Sequence, residues 1–162
     1  TCLHPYFFMQ NMDFQLPSIK ANGVLESAVG SAALAMVHTR DIAEVVANLM
    51  LNPDRAPGKT IPLTCSNAIT YKQMADQMSE VFEREVTFRH QTLEEVEANL
   101  RLSSMPDWHI RIILQFNRAF SEGYGSEVHT HVEDILGREP RSFRYYLKTA
   151  SISESDSNPF PS

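Results

Sequence analysis

Ala35-Met36-Val37-His38-Thr39-Arg40-Asp41-Ile42-Ala43-Glu44-Val45-Val46-Ala47-Asn48-Leu49-Met50 changes hydrophobic period part-way along, and that change decides the fold class. Leu34 to His38 reads as a short, mostly buried strand. Ile42, Val45, Val46, Leu49 and Met50 then recur at the spacing of one helix face. The junction is polar: Thr39 and Asp41 are placed to accept hydrogen bonds from free backbone N–H groups, and Asp41 lies toward the positive end of the helix dipole. A strand running straight into a helix predicts an α/β protein. Ligands of open α/β sheets gather where strands end and helices begin, so this edge is where a site is expected.

The same alternation extends in both directions. Thr1 to Met9 opens in apolar, strand-like residues with no Met start or polar lead-in, and is expected to be an interior cut of a longer chain. Pro5 marks the strand end, and Phe8, Met12 and Leu16 predict a helix that stops before Pro17. Asn22-Gly23 predicts a tight turn before Val24-Leu25-Glu26, and Gly30 closes another loop. Asn52 to Gly58 is a breaker cluster. Lys59 to Thr64 reads as a strand whose Pro62 argues against a regular central ladder.

Downstream, Thr70 with Gln73 and Thr92 with Glu95 form capping-box patterns. The first precedes an apolar stripe of Tyr71, Met74, Ala75, Met78, Val81 and Phe82; the second precedes Leu93, Val96 and Leu100. Glu85 to His90 alternates as a short strand between them. From Pro106 to Glu122 the apolar residues, Trp108 and Phe116 among them, predict another helix. Thr130 with Glu133 predicts a short helix ended by Gly137, and Pro140 precedes a final aromatic helix. Residues 1–150 are thus expected to form one α/β domain. Ser151 to Ser162, rich in Ser, Pro and acids, is expected to be a disordered tail.

Composition narrows the function classes. No run approaches the ~18 apolar residues of a membrane span, so no membrane partner is expected. With 14 basic against 20 acidic residues, a net charge of -6 and no dense Lys/Arg face, direct binding to nucleic acid is not expected either. Only Cys2 and Cys65 occur, without a CxxC pair or a signal peptide, which points to a reducing, cytoplasmic setting.

Five segments taken together carry a family resemblance: His4 to Asn11 (HPYFFMQN), Val37 to Ala43 (VHTRDIA), Gly58 to Thr64 (GKTIPLT), Ile69 to Ala75 (ITYKQMA) and Leu136 to Phe143 (LGREPRSF). In this order and spacing the chain resembles the C-terminal half of NmrA-like proteins, atypical short-chain dehydrogenase/reductase relatives with a Rossmann-type NAD(P)-binding fold. The resemblance runs from residue 1 to about residue 150. It implies the C-terminal part of a Rossmann-like fold with a helical substrate-side lobe, the N-terminal dinucleotide-binding half being absent. NAD(P)H is then the cofactor of the intact family protein, whereas tight binding by this chain alone is not expected. The resemblance also implies that Pro5, Tyr6, Phe7, Phe8 and Asn11 border the cofactor, and that Trp108, His109 and Phe116 border the substrate as a partial lid. At position 4 the sequence departs from the family, whose members often carry Arg there; any pairing of that arginine with Asp41 is lost to His4.

The remaining constellations have simpler readings. Gly123-Tyr124-Gly125, the chain's one GxG, follows a predicted helix and lacks a third glycine, so it reads as a loop rather than a pyrophosphate turn. No Tyr-x-x-x-Lys exists: Tyr145 and Lys148 are one residue too close, and Tyr71 is followed by Ala75. Catalytic residues are therefore unassigned. His129-Thr130-His131 with Glu133 and Asp134 reads as a solvated helix start, and no metal site is expected. His38 reads as a hydrogen-bonded strand-end histidine, and Glu94, Glu95 and Glu97 as a solvated helix start. Two functions stay open from the resemblance: a reductase of a small carbonyl, quinone or aromatic substrate, inactive as this fragment alone, or a non-catalytic NAD(P)-sensing regulator acting on a protein partner.

Overall fold

The structure, a computed structural model, describes residues 1–55, 60–103 and 105–153. Its strands are short and mostly parallel. β1 (Cys2–Pro5) lies parallel to β5 (Thr60–Leu63), with Cys2 opposite Thr60 and Pro5 opposite Leu63. β2 (Phe7–Phe8) lies parallel to β4 (Ala33–Val37), Phe7 facing Met36. The first strand therefore changes partner at Tyr6, whose own N–H donates to the Leu63 carbonyl at 3.1 Å. β3 (Val24–Ser27) pairs in parallel with β7 (Thr87–His90), and β6 (Ala68–Thr70) adds antiparallel to β4. Pro62 sits in the two-stranded β1–β5 pair, where a missing donor interrupts no wider ladder.

Helices cover the strands in the α/β manner. α1 (Leu16–Asn22), α3 (Tyr71–Phe82) and α7 (Phe143–Ser153) bury Leu16, Ile19, Met74, Met78 and Leu147 in a core shared with Leu25, Leu34 and Met36. α2 (Thr39–Leu51) and α6 (His131–Leu136) bury Val45, Leu49, Val132 and Ile135 in another, with Val37, Ile61 and Leu63. Met36 and Val37, neighbours on β4, enter different cores, as strand alternation requires. α4 (Leu93–Arg101) and α5 (Asp107–Ser121) pack chiefly on each other, and on α5 only Ile110 is fully buried.

Both capping boxes on α3 and α4 form as the sequence implies, each Thr hydroxyl accepting from the N3 amide while the N3 side chain returns to the cap N–H. Thr70→Ala is expected to cost about 1 kcal/mol, read as a lower midpoint in urea with unchanged slope.

Four local expectations are corrected. Before Pro17 there is a 3-10 turn, Met9–Phe14, and α1 begins around Pro17 instead of ending there; a proline in the first turn lacks only an N–H that would have been free anyway. α2 is capped by His38, whose Nδ1 accepts from the Arg40 N–H at 3.1 Å, not by Thr39 or Asp41. Thr130 has helical dihedrals and its hydroxyl donates to Asp134 at 2.9 Å, so no capping box opens α6. α7 continues to Ser153, past the expected start of the tail, while residues 154–162 lie outside the described residues. Ala56, Pro57, Gly58 and Lys59, the end of the breaker cluster and the start of the expected strand, also lie outside them.

Asp41, freed from capping, is completely buried. Its Oδ2 accepts the backbone N–H of Arg141 at 2.7 Å, and its Oδ1 accepts from the guanidinium groups of Arg138, at 2.7 Å, and Arg141. The same two arginines reach Glu44 one turn along α2. The sequence GREPR at 137–141 thus supplies the partners of Asp41, and ties the loop before α7 to the start of α2. Hydrogen bonds from Arg141, then Arg138, hold the Glu44 carboxyl at about 2 against its ordinary 4.5. A depressed folded pKa contributes stability above pH 4.5 that is lost as the pH falls toward 2. Glu44→Gln is therefore expected to flatten the acid limb of a stability–pH curve over that window, checked by urea titrations from pH 2 to 7.

Candidate functional site

Where β1, β2 and β3 end, the structure opens a cleft of about 960 Å³. That is within the range of sites that enclose small organic ligands. One wall is the chain from His4 to Phe8 and on through the 3-10 turn to Asn11 and Phe14. The floor is Glu26, Ser27 and Gln91 at the ends of β3 and β7, with Tyr71 from α3. The opposite wall is α4 and α5, which contribute Leu100, His109, Ile113, Phe116 and Asn117, and beyond them Phe120, Tyr124 and Gly125.

All five residues expected at the cofactor, Pro5, Tyr6, Phe7, Phe8 and Asn11, line this cleft. Their roles in packing differ. Phe7 packs on the main core and meets Phe120 edge-on at 5.8 Å, whereas Phe8 is 37% exposed. Asn11 is exposed, and its side-chain amide makes no hydrogen bond among the described residues. Of the residues expected at the substrate, His109 and Phe116 line the cleft. Trp108 does not: it is 58% exposed and stacks on His109 with ring centres 5.2 Å apart. Successive helix residues point about 100° apart, so only His109 of this pair turns inward.

The cleft is apolar with few charges. Aromatic surface comes from Phe7, Phe116 and Phe120, the last two stacked at 5.8 Å. Glu26 is the single carboxylate in the lining among the described residues and is already paired, with Arg89 at 2.6 Å and the Gln91 amide at 3.0 Å. No Lys or Arg lines the cleft among the described residues.

Sequence reasoning missed a polar pair at the strand switch. The Tyr6 hydroxyl lies 3.3 Å from Nε2 of His129, a residue read as part of a solvated helix start. His129 is fixed by the fully buried Thr64, whose hydroxyl accepts the His129 N–H at 2.9 Å and donates to its carbonyl at 3.1 Å. The three residues are far apart in sequence, so no spacing could have announced them. His38 fits its expected role: besides capping α2, it lies within 3.1 Å of the Gln10 side-chain amide and is almost wholly buried. That burial lowers its pKa, with Asp41 opposing.

A nicotinamide and a pyrophosphate make different demands on their surroundings. Flat apolar surface and an unengaged amide suit a nicotinamide ring, and Phe7, Phe8 and Asn11 provide both. A pyrophosphate needs free N–H groups at a helix start after a strand. At α2 these are taken: Thr39 N–H by Gln10 Oε1, Arg40 N–H by His38 Nδ1, and the N–H groups of Asp41 and Ile42 by the His38 carbonyl. α3 and α4 are closed by their own capping boxes. Gly123-Tyr124-Gly125 is a turn after α5, with both glycines at positive φ, and no strand leads into it.

The NmrA-like family model matches residues 1–148. The chain belongs to this family. Agroclavine dehydrogenase of Claviceps fusiformis is 25% identical over 151 residues, 91% of this chain and 52% of that protein. The NAD(P)H azoreductase of Xenophilus azovorans is 24% identical over 148 residues, covering 91% of this chain and 51% of its own. Among solved structures, an NADPH-dependent quinone oxidoreductase of Escherichia coli, in complex with NADPH, superposes with a TM-score of 0.81 at 18% identity; 91% of this chain and 52% of that one are covered. The likeness shows a Rossmann-like α/β fold. This NmrA-like chain spans about half the length of the relatives it matches. No helix among the described residues is long and apolar enough to cross a membrane.

Proposed function

We propose that this cleft is the substrate and nicotinamide end of an NAD(P)H-dependent oxidoreductase that reduces a small carbonyl, quinone or aromatic compound. The observation that carries the reading is the cleft itself: large, aromatic, open at the strand ends, and lined by no Lys or Arg among the described residues. Named relatives include a dehydrogenase and an azoreductase, which supports redox chemistry on an organic substrate. When bound, a reduced nicotinamide supplies a hydride to an electrophilic carbon or nitrogen.

The residues of this chain bind, orient and exclude water. Phe7 and Phe8 offer ring faces on the strand side, Phe116 and Phe120 close the other side, and Asn11 orients a polar group with an amide that both donates and accepts. Apolar walls of this kind strengthen each hydrogen bond made inside by displacing water. His109 stands on the α5 wall with Trp108 stacked behind it, so the helical pair α4–α5 serves as the partial lid.

Cofactor affinity is expected to be weak in this chain alone, because the helix starts that could hold a pyrophosphate are already hydrogen-bonded. Calorimetric titration with NADPH and with NADH tests this; one-to-one binding in the low micromolar range would mean that other groups make the cradle. The cleft itself is tested with duroquinone, followed through the fluorescence of Trp108, the single tryptophan. Saturable quenching is expected. Asn11→Ala is expected to weaken that binding roughly fivefold, the worth of one hydrogen bond of about 1 kcal/mol, with an unchanged melting temperature. A stability loss with normal binding would make Asn11 a structural residue and end its assignment to the site.

A further inference from the structure

The reduction of a carbonyl needs a proton as well as a hydride, and the Tyr-x-x-x-Lys device that could deliver one is missing from this sequence. Among the described residues that line the cleft, few are acids able to deliver one. Glu26 is held in its pairs with Arg89 and Gln91, and Tyr71 is buried at the floor with its hydroxyl bonded to Ser27. His109 is stacked on Trp108 at the rim. Tyr6 differs in lining the cleft while its hydroxyl meets an imidazole nitrogen, Nε2 of His129.

We propose that Tyr6 is the proton donor of this cleft and that His129 resupplies it. The inference rests on the reductase reading above and names a residue for it. Tyr6 sits where the first strand changes from β5 to β4, its N–H donates to the Leu63 carbonyl, and the residue lines the cleft. Its hydroxyl is 3.3 Å from His129 Nε2, and the buried Thr64 hydroxyl holds both backbone polar groups of His129. The groups facing the pair are His4, edge-on to Tyr6 at 5.5 Å, His131, 5.7 Å from the His129 ring, Tyr124, and Glu127, whose carboxylate is 3.7 Å from Nε2. Desolvation, then the charge of Glu127, raises the Tyr6 pKa, so the phenol keeps its proton at neutral pH.

A hydride, delivered by reduced nicotinamide, forms the new C–H bond, and the π pair of the C=O bond moves onto oxygen. The Oη–H bond of Tyr6 breaks as the substrate O–H bond forms, leaving a phenolate. A proton on His129 Nε2 passes to that phenolate, and His129 regains one from solvent on the side of Glu127, which is 75% exposed. Tyr6 is catalytic in this scheme, because it meets the substrate oxygen; His129 acts through it.

The test uses this chain and duroquinone labelled with carbon-13 at its carbonyls, so it does not depend on turnover. In the wild type, binding is expected to move the carbonyl signal downfield and to shift the nitrogen-15 signal of His129 Nε2. Tyr6→Phe, which keeps the ring in the wall, is expected to bind duroquinone yet lose both shifts. His129→Gln is expected to keep the carbonyl shift, since the phenol retains its proton. If Tyr6→Phe binds with both shifts intact, the relay is overturned while the reductase reading stands. If wild-type chain does not bind duroquinone at all, the reading of the cleft fails and the relay fails with it.

Discussion

Asp41→Ala is expected to lower stability by about 3–5 kcal/mol, the usual cost of removing one member of a buried, hydrogen-bonded ion pair. For a chain of this size that is a fall in melting temperature of roughly 10 °C. The reason is geometric. Asp41 is completely buried and accepts from a backbone N–H and two guanidinium groups, so its loss strands three donors at once. Arg141 suffers most, being only 18% exposed at its side chain. Glu44, at 44% exposure, is the control: Glu44→Gln near neutral pH should cost under about 1 kcal/mol, as solvent-exposed pairs do. Thermal melts of the two variants decide between a buried anchor and a surface network. Equal small losses would mean that Arg138 and Arg141 relax into water and that the loop before α7 is not held through Asp41.

How much of this was legible in the sequence follows the range of the interactions. Period and capping are local, so β4, α2, α3 and α4 could be read from stretches such as Leu34 to Met50 and Thr70 to Phe82. Thr39 and Asp41 were misread as caps because a histidine at the strand end can also accept an N–H, and because a buried acid looks the same in sequence as a capping one. Pro17 was read as a stop because proline disfavours a helix before it, yet it equally begins one. The wall of the cleft from Pro5 to Asn11 came from the family resemblance, and the cleft brings all five residues together. Periodicity could not decide between Trp108 and His109, since that depends on where α5 rests against α4. Tyr6, Thr64 and His129 meet only through the tertiary fold, and no local pattern marks them.

Phe116→Ala is expected to have the largest effect on binding. Phe116 is 52% exposed in the absence of ligand, lines the cleft, and stacks with Phe120, so a flat ligand would cover its free face. Covering about 100 Å² of apolar surface is worth roughly 2.5 kcal/mol, or nearly two powers of ten in affinity. Asn11→Ala, with one hydrogen bond at stake, should cost far less. Stability should barely respond, because a half-exposed ring gives up little packing when it is removed; the melting temperature of Phe116→Ala is expected within about 2 °C of wild type, corresponding to ~0.5 kcal/mol. The two measurements separate the candidate roles. Weak duroquinone binding with an unchanged melt assigns Phe116 to the ligand, whereas a lower melt with normal binding assigns it to the α5–Phe120 packing. Tight binding with an unchanged melt would place the ligand nearer Phe7 and Phe8, on the strand side of the same cleft.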